Sequence, residues 1–356
     1  MPGYLSVIFG ILLFSLLIFV HELGHFLTAK AFGVQVNEFS MFMGPVLLKK
    51  KIGETLYSIR LIPIGGFCAM EGEDQDTDNP RSFQKAAWWK RLIILVAGAG
   101  MNFLIGLVIF AIVYIPAKQI VTPVFNEFTE CCTFTGEDGL RVGDKVYSVD
   151  GERVYSGSDV SMLLSLDPTA KHDIVVIRDG EKLTFNDMDM VHKHTDKEKG
   201  DYLHFGYSLT TEKATFPVKV REVFFEMIDN VRSVRLSLQM MVTGKVGLSD
   251  MAGPVGIVGM MSEVATTSPT FWDAVLNLLY FGGFLAVNLG VMNLLPIPAL
   301  DGGRVVALLL TTGIEAITRK KINPKFEGYI HGVGMILLLA LMAVIMFKDI
   351  FTIFKG

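Results

Sequence analysis

Phe19-Val20-His21-Glu22-Leu23-Gly24-His25 lies within an apolar run over residues 4–29, and its reading governs the rest of the chain. On a helix, the spacing H-E-x-x-H puts His21 and His25 one turn apart on the same face. Two neutral imidazoles so placed can share one Zn²⁺, with Glu22 beside them as general base for the metal's water. The neighbours are Leu, Ile, Phe and Val, as in a helix placed in lipid. A charge at the centre of such a helix costs about 2.5–3.5 kcal/mol. A purely structural role does not account for that penalty, and zinc binding does.

Composition agrees with a lipid setting. Of the 356 residues, 51% are hydrophobic and 19% charged, and the mean hydropathy is +0.46. The apolar excess is gathered in a few long runs, which indicates an integral membrane protein with more than one domain. A net charge of −4 argues against a nucleic-acid partner. Cys68, Cys131 and Cys132 form neither a disulfide framework nor a cysteine zinc site, and the adjacent pair reads as two free thiols. The first apolar run lacks a basic n-region and continues into the His-Glu-His cluster, so a retained span is expected and not a signal peptide.

Four runs are long enough to span a bilayer, which makes the expected fold a polytopic α-helical membrane protein with four transmembrane helices. The expected division places the first span and its zinc motif in residues 1–30, and a β-rich, membrane-associated loop in 31–90. The second span follows at 91–116, anchored by Trp88, Trp89, Lys90 and Arg91. Residues 117–212 are compositionally soluble, with short strand-like runs and turn signals at Asp150-Gly151 and Asp179-Gly180. Residues 213–270 read as an amphipathic helix and a Gly-rich linker. The third span, 271–303, carries Leu300-Asp301-Gly302-Gly303, and a loop or helix at 304–328 leads to the fourth span at 329–354.

Basic residues cluster between spans one and two (Lys49, Lys50, Lys51, Arg60, Arg81) and between spans three and four (Arg304, Arg319, Lys320, Lys321). With four spans these loops share a side, and the positive-inside rule makes it cytoplasmic. Both termini and residues 117–212 are then expected outside. Within the 31–90 loop, alternation at 55–61 and the Gly65-Gly66 pair suggest one or two hairpins packed beside the metal helix.

A catalytic zinc needs a third protein ligand and an open position for water. Asp301 is the candidate, because Pro296 and Pro298 break the helix before it and free it to turn inward. The competing role for Asp301 is to cap the helix that follows. His192 and His194 sit in a charged loop and read as solvated; His331, at the start of the fourth span, reads as an interfacial or packing residue.

His21-Glu22-Leu23-Gly24-His25 together with the 293–303 segment ending in Leu-Asp-Gly-Gly resembles the site-2 protease family of intramembrane zinc metalloproteases. Gly139-Leu140-Arg141-Val142-Gly143-Asp144-Lys145-Val146, then Val149-Asp150-Gly151, is similar to the PDZ domain inserted in its bacterial regulator of sigma-E protease branch. Gly98-x-x-x-Asn102 and Gly253-Pro254-Val255-Gly256-Ile257 also match that branch, whereas Ala99 stands where the family often has Pro. There is sequence for a single PDZ domain, which departs from a filter built of two.

The resemblance implies Zn²⁺ held by His21, His25 and Asp301, with Glu22 as the catalytic glutamate. Asn102 and Asn293 match polar residues near the site that bind the substrate backbone or the oxyanion; interhelical hydrogen bonding is their other role. It further implies a bacterial cytoplasmic-membrane protein with an extracytoplasmic PDZ-like domain that binds peptide or filters by size. The substrate would be the transmembrane segment of a single-pass protein already trimmed by another protease, such as an anti-sigma factor, a signal-peptide remnant or a pheromone precursor. The alternative function is a non-catalytic, PDZ-containing membrane scaffold.

Overall fold

The computed structural model describes residues 3–73, 77–128, 139–167, 171–196, 200–247, 253–319 and 325–355, so Cys131 and Cys132 lie outside the described residues. In order the elements are α1 (Gly3–Ala31), β1 (Val36–Ile52), β2 (Thr55–Met70), α2 (Trp88–Tyr114), β3 (Gln119–Phe128), β4 (Lys145–Val149) and β5 (Glu152–Arg153). There follow α3 (Gly157–Ser165), β6 (His172–Arg178), β7 (Glu181–Met188), β8 (Val191–Asp196), β9 (Gly200–Phe205) and β10 (Tyr207–Lys213). The chain ends with α4 (Phe216–Val242), α5 (Pro254–Thr267), α6 (Phe271–Asn293), α7 (Asp301–Thr318) and α8 (Lys325–Lys355). They form two compact units, Met1–Phe110 with Asn230–Gly356, and Ala111–Asp229.

Four stretches of helix are long and apolar enough to cross a membrane: Val7–Ala31, Trp88–Tyr114, Phe271–Asn293 and Gly328–Asp349. They fall on the four apolar runs of the sequence. At about 1.5 Å per residue the first is roughly 37 Å long, which exceeds a hydrocarbon core of about 30 Å. Small residues let these helices close on one another. A β-carbon on Gly283 would stand 2.8 Å from the Phe110 ring, and one on Gly106 would stand 2.9 Å from Val287.

The third apolar helix stops at Asn293, just before the break expected at Pro296 and Pro298, and Asp301, grouped with the third span, opens a separate helix, α7. Pro296 and Pro298 have no N–H to donate, and each keeps its predecessor out of helical geometry. The stretch expected to be a Gly-rich linker is helical from Pro254, with Gly253 as N-cap and Pro at the first turn. This helix, α5, buries Met261 and Ala265 against Leu13 of α1 and Leu278 of α6. Its glycines hid an apolar helix that holds only one charged residue, Glu263.

The 31–90 stretch forms one long irregular hairpin of β1 and β2. Near the tip Lys49, Lys50 and Lys51 pair with Ser58, Tyr57 and Leu56. Further along, Glu38 to Met41 are flanked on one side by residues 56–59 and on the other by residues 66–69. The hairpin folds onto α1 through Phe39, Cys68 and Met70, with Phe19 and Phe26 packed against them. At its turn Glu54 bonds Arg81 at 2.6 and 2.9 Å and Lys30, in the last turn of α1, at 2.7 Å. Arg81 first and Lys30 second hold the Glu54 carboxyl down at about 2.

The second unit is β-rich with one short helix. Its sheet runs β10-β3-β4-β6-β7, with β5 on β4; β8 and β9 form a separate hairpin. His192 and His194 lie in β8, in regular strand and not in a loop. α3 starts with a capping box in which Ser156 and Asp159 satisfy each other's backbone N–H. Arg178 forks onto buried Asp144, Nε and Nη2 each 2.7 Å from one oxygen, and so fixes the Gly143-Asp144 turn beside Phe125.

Candidate metal centre

The site lies where α1, α2, α6 and the start of α7 meet. His21 and His25 project from one face of α1, one turn apart, and are buried. Their Nε2 atoms are 3.2 Å apart. Asp301 Oδ2 lies 3.1 Å from His21 Nε2 and 3.2 Å from His25 Nε2. These three atoms make a nearly equilateral triangle, and His21, His25 and Asp301 are the one His/Cys/Asp/Glu group of metal-binding geometry among the described residues.

The arrangement fits a zinc ion. Ligands about 2.0–2.1 Å from a tetrahedral centre stand about 3.3 Å from one another. His25 Nδ1 donates to the Ile94 carbonyl of α2 at 2.8 Å, which leaves Nε2 as a bare lone pair facing the triangle. Asp301 Oδ2 is buried and, the two Nε2 atoms apart, has no hydrogen-bond partner. Two imidazole nitrogens and a carboxylate oxygen converging on one point are a donor set for a cation.

Asp301 is not a helix cap. Leu300 holds the N-cap position and makes no side-chain cap bond, while Asp301 is the first residue of the helix. Its carboxylate nevertheless sits at a helix N-terminus, where negative charge is favoured. The loop before it folds back tightly on α7. A β-carbon at Gly303 would stand 2.8 Å from the Ile297 carbonyl carbon, and one at Gly302 would overlap the backbone of Leu294. The glycine pair of Leu-Asp-Gly-Gly is thus what lets the loop bring the carboxylate round.

Both asparagines reach the site. The fully buried Asn102 places its amide 3.3 Å from His21 Nδ1, and half-buried Asn293 places its own 3.4 Å away. With His21 Nε2 directed at a metal, Nδ1 carries the hydrogen and requires an acceptor. Asn102 Oδ1 is buried and unpartnered, and turning the amide over presents it to that hydrogen.

Sequence reasoning missed the Ile94 carbonyl and gave Gly98 no contact with the histidines. Gly98 packs against both imidazoles, and Ile94 supplies the carbonyl that orients His25. The regular Gly98-x-x-x-Asn102 spacing pointed to this face of α2; the Ile94 carbonyl left no trace in residue identity. Glu22 is half-buried on α1, and the strand 66–70 passes beside it. A β-carbon on Gly66 would stand 3.7 Å from Glu22 Cγ.

Three long apolar helices and the start of α7, meeting at a His-His-Asp triangle beside a Glu, define a zinc metallopeptidase of the membrane. Comparison with known proteins agrees. The profile described as peptidase family M50 matches residues 9–341. A chain of Clostridium perfringens named as a zinc metalloprotease is 35% identical over 350 residues, 97% of this chain and 98% of that one. A similarly named chain of Clostridium acetobutylicum is 34% identical over 348 residues, 98% of each. The regulator of sigma-W protease RasP of Bacillus subtilis is 29% identical over 434 aligned positions, covering 98% of this chain and 99% of that one. That alignment is longer than the 356 residues here, so the relative carries insertions. The chain belongs to peptidase family M50, the site-2 proteases, and is an intramembrane zinc metalloprotease.

Proposed function

We propose that His21, His25 and Asp301 are the zinc ligands, and that Glu22 is the general base for cleavage of a transmembrane segment. The observation that carries this is the triangle of Nε2, Nε2 and Oδ2 atoms, each pair 3.1–3.2 Å apart. When bound, the metal supplies a water of lowered pKa and a Lewis acid for the scissile carbonyl. Glu22, next in sequence to His21, accepts the proton of the attacking water and returns it to the leaving amine. Asn102 orients His21. Asn293, nearer the exposed end of the site, is placed to bond the substrate backbone or the oxyanion.

A helical substrate hides its amide bonds, so it must unwind before the carbonyl is reachable. The 66–70 strand, an edge segment of the hairpin and the one beside Glu22, is the natural template for the unwound segment. The second unit's six-stranded arrangement with a capped helix fits a single PDZ-like domain, and the basic 31–90 and 304–328 segments fit a cytoplasmic placement. The domain and both termini are then extracytoplasmic, in a bacterial cytoplasmic membrane. The substrate class is a single-pass membrane protein whose outer domain another protease has removed. Anti-sigma factors belong to this class, in keeping with the name of the B. subtilis relative.

Glu22→Gln tests the reading. In a reconstituted bilayer the variant is expected to keep about one zinc per chain and to lose cleavage of a single-pass substrate by at least about 10³-fold. Normal turnover by that variant removes Glu22 from the mechanism. Mass spectrometry of the wild-type products should place the cut within the substrate's apolar span.

A further inference from the structure

We propose that His331 of α8 is a positioning residue for Asp301, holding the 296–300 loop so that the carboxylate stays aimed at His21 and His25. The inference rests on Asp301 being a zinc ligand and adds what keeps it in place. Between the end of α6 and the start of α7 the backbone is irregular, and two of its residues, Pro296 and Pro298, have no N–H. Ile297 N–H bonds within the loop, to Leu295 O at 2.7 Å, and Leu300 N–H bonds to Ile297 O at 3.1 Å. Ala299 N–H instead finds its acceptor on another helix, donating to His331 Nδ1 at 3.1 Å.

Ala299 also has φ +85°, the left-handed region that a residue with a β-carbon adopts only when its surroundings impose it. What imposes it is visible one turn along α8. A β-carbon at Gly334 would stand 2.7 Å from the Pro298 carbonyl carbon and 2.8 Å from its oxygen, so helix backbone lies directly against the loop. α8 therefore grips the loop at two successive residues, Pro298 by contact and Ala299 by a hydrogen bond. Those residues stand three and two positions before Asp301. A ring nitrogen in a helix otherwise lined by exposed apolar side chains such as Ile336 and Leu337 is costly in lipid unless it serves such a bond.

Zinc retention by the full-length protein in lipid nanodiscs tests this, read as the rate at which loaded protein gives up metal to excess EDTA. His331→Leu is expected to release zinc at least about tenfold faster than wild type, the usual effect of losing a supporting partner. His331→Asn puts Oδ1 where Nδ1 was and is expected to stay within about twofold of wild type. Gly334→Val, with His331 intact, is expected to accelerate release by displacing Pro298. His331→Leu releasing at the wild-type rate overturns the proposal. Equal acceleration in His331→Leu and His331→Asn also overturns it, because the imidazole would then act other than as an acceptor. Asp301→Asn separates the two levels: zinc held as tightly as in wild type removes Asp301 from the ligand set. Zinc lost from Asp301→Asn but kept by His331→Leu leaves the ligands standing and removes only the positioning role.

Discussion

Gly98 of α2 lies against His25 of α1 so closely that only a hydrogen fits between them. A β-carbon at position 98 would stand 2.7 Å from Cε1 of His25 and 2.7 Å from Cε1 of His21. The backbone of α2 thus forms one wall of the metal centre. Gly98→Ala is expected to push the imidazoles out of the triangle and to lower activity by about 10²-fold or more, since displacements near 1 Å carry that penalty. Zinc content by elemental analysis should fall in parallel, with the four helices still inserted. Full zinc and full activity would show that the wall yields.

Asn102 and Asn293 both approach His21 Nδ1, but with different burial, and they should separate experimentally. Asn102→Leu is expected to weaken zinc affinity by about 10–100-fold, the range for partners that orient a metal-bound histidine. Asn293→Leu is expected to keep its zinc and to lose kcat by about 10²-fold, as for a lost oxyanion donor. Competition with a fluorescent chelator measures the first effect, and steady-state cleavage of a transmembrane peptide the second. Identical behaviour of the two variants would contradict this division.

Gly66 stands between Ser40 and Glu22: a β-carbon there would lie 2.9 Å from the Ser40 carbonyl oxygen and 3.7 Å from Glu22 Cγ. Gly66→Val should therefore displace the 66–70 strand and crowd Glu22, the proposed general base, while leaving His21, His25 and Asp301 alone. The expected outcome is a fall in kcat/KM of at least about tenfold at unchanged zinc content. If zinc is lost as well, the strand supports the metal centre and does more than line the substrate path.

Glu222 of α4 provides a pH signature in the second unit. Burial raises its carboxyl to about 7, opposed by Arg221 and reinforced by Glu226, Asp159 and Glu212. The folded unit therefore holds this proton more tightly than the unfolded chain does, and stability falls as pH rises from about 4.5 towards 7. Amide exchange in α3 and the neighbouring turns of α4 should be slower at pH 5 than at pH 8. Glu222→Gln should remove most of that difference and add about 1 kcal/mol at pH 8. No pH dependence in the wild type would show that Glu222 ionises normally.

Much of this protein is legible one residue at a time. The run of Leu, Ile and Phe around His21 to His25 specifies a helix in lipid, because nothing else satisfies the backbone there. The i, i+4 spacing then specifies two imidazoles on one face. The prolines at 296 and 298 announce a break, but not where the chain goes afterwards. The helix does end just before them, at Asn293, but only the structure shows the loop folding back so that Asp301 opens α7. The glycines at 253, 256 and 259 suggested a linker, and packing against Leu13 and Leu278 made a helix of it.

Sequence by itself determined the kind of chemistry: His, His, Glu and Asp in an apolar chain, at spacings that have few other uses. Tertiary structure alone decided that Asp301, 276 residues beyond His25, brings its oxygen within 3.2 Å of both imidazoles. It also decided which groups support them: the Ile94 carbonyl, the Asn102 amide and the bare backbone of Gly98. The physical reason is that spacing carries information only within one helix, where geometry is periodic. Between helices, the distance between two atoms depends on close packing and loop conformation, and the H-E-x-x-H run holds only half of that site.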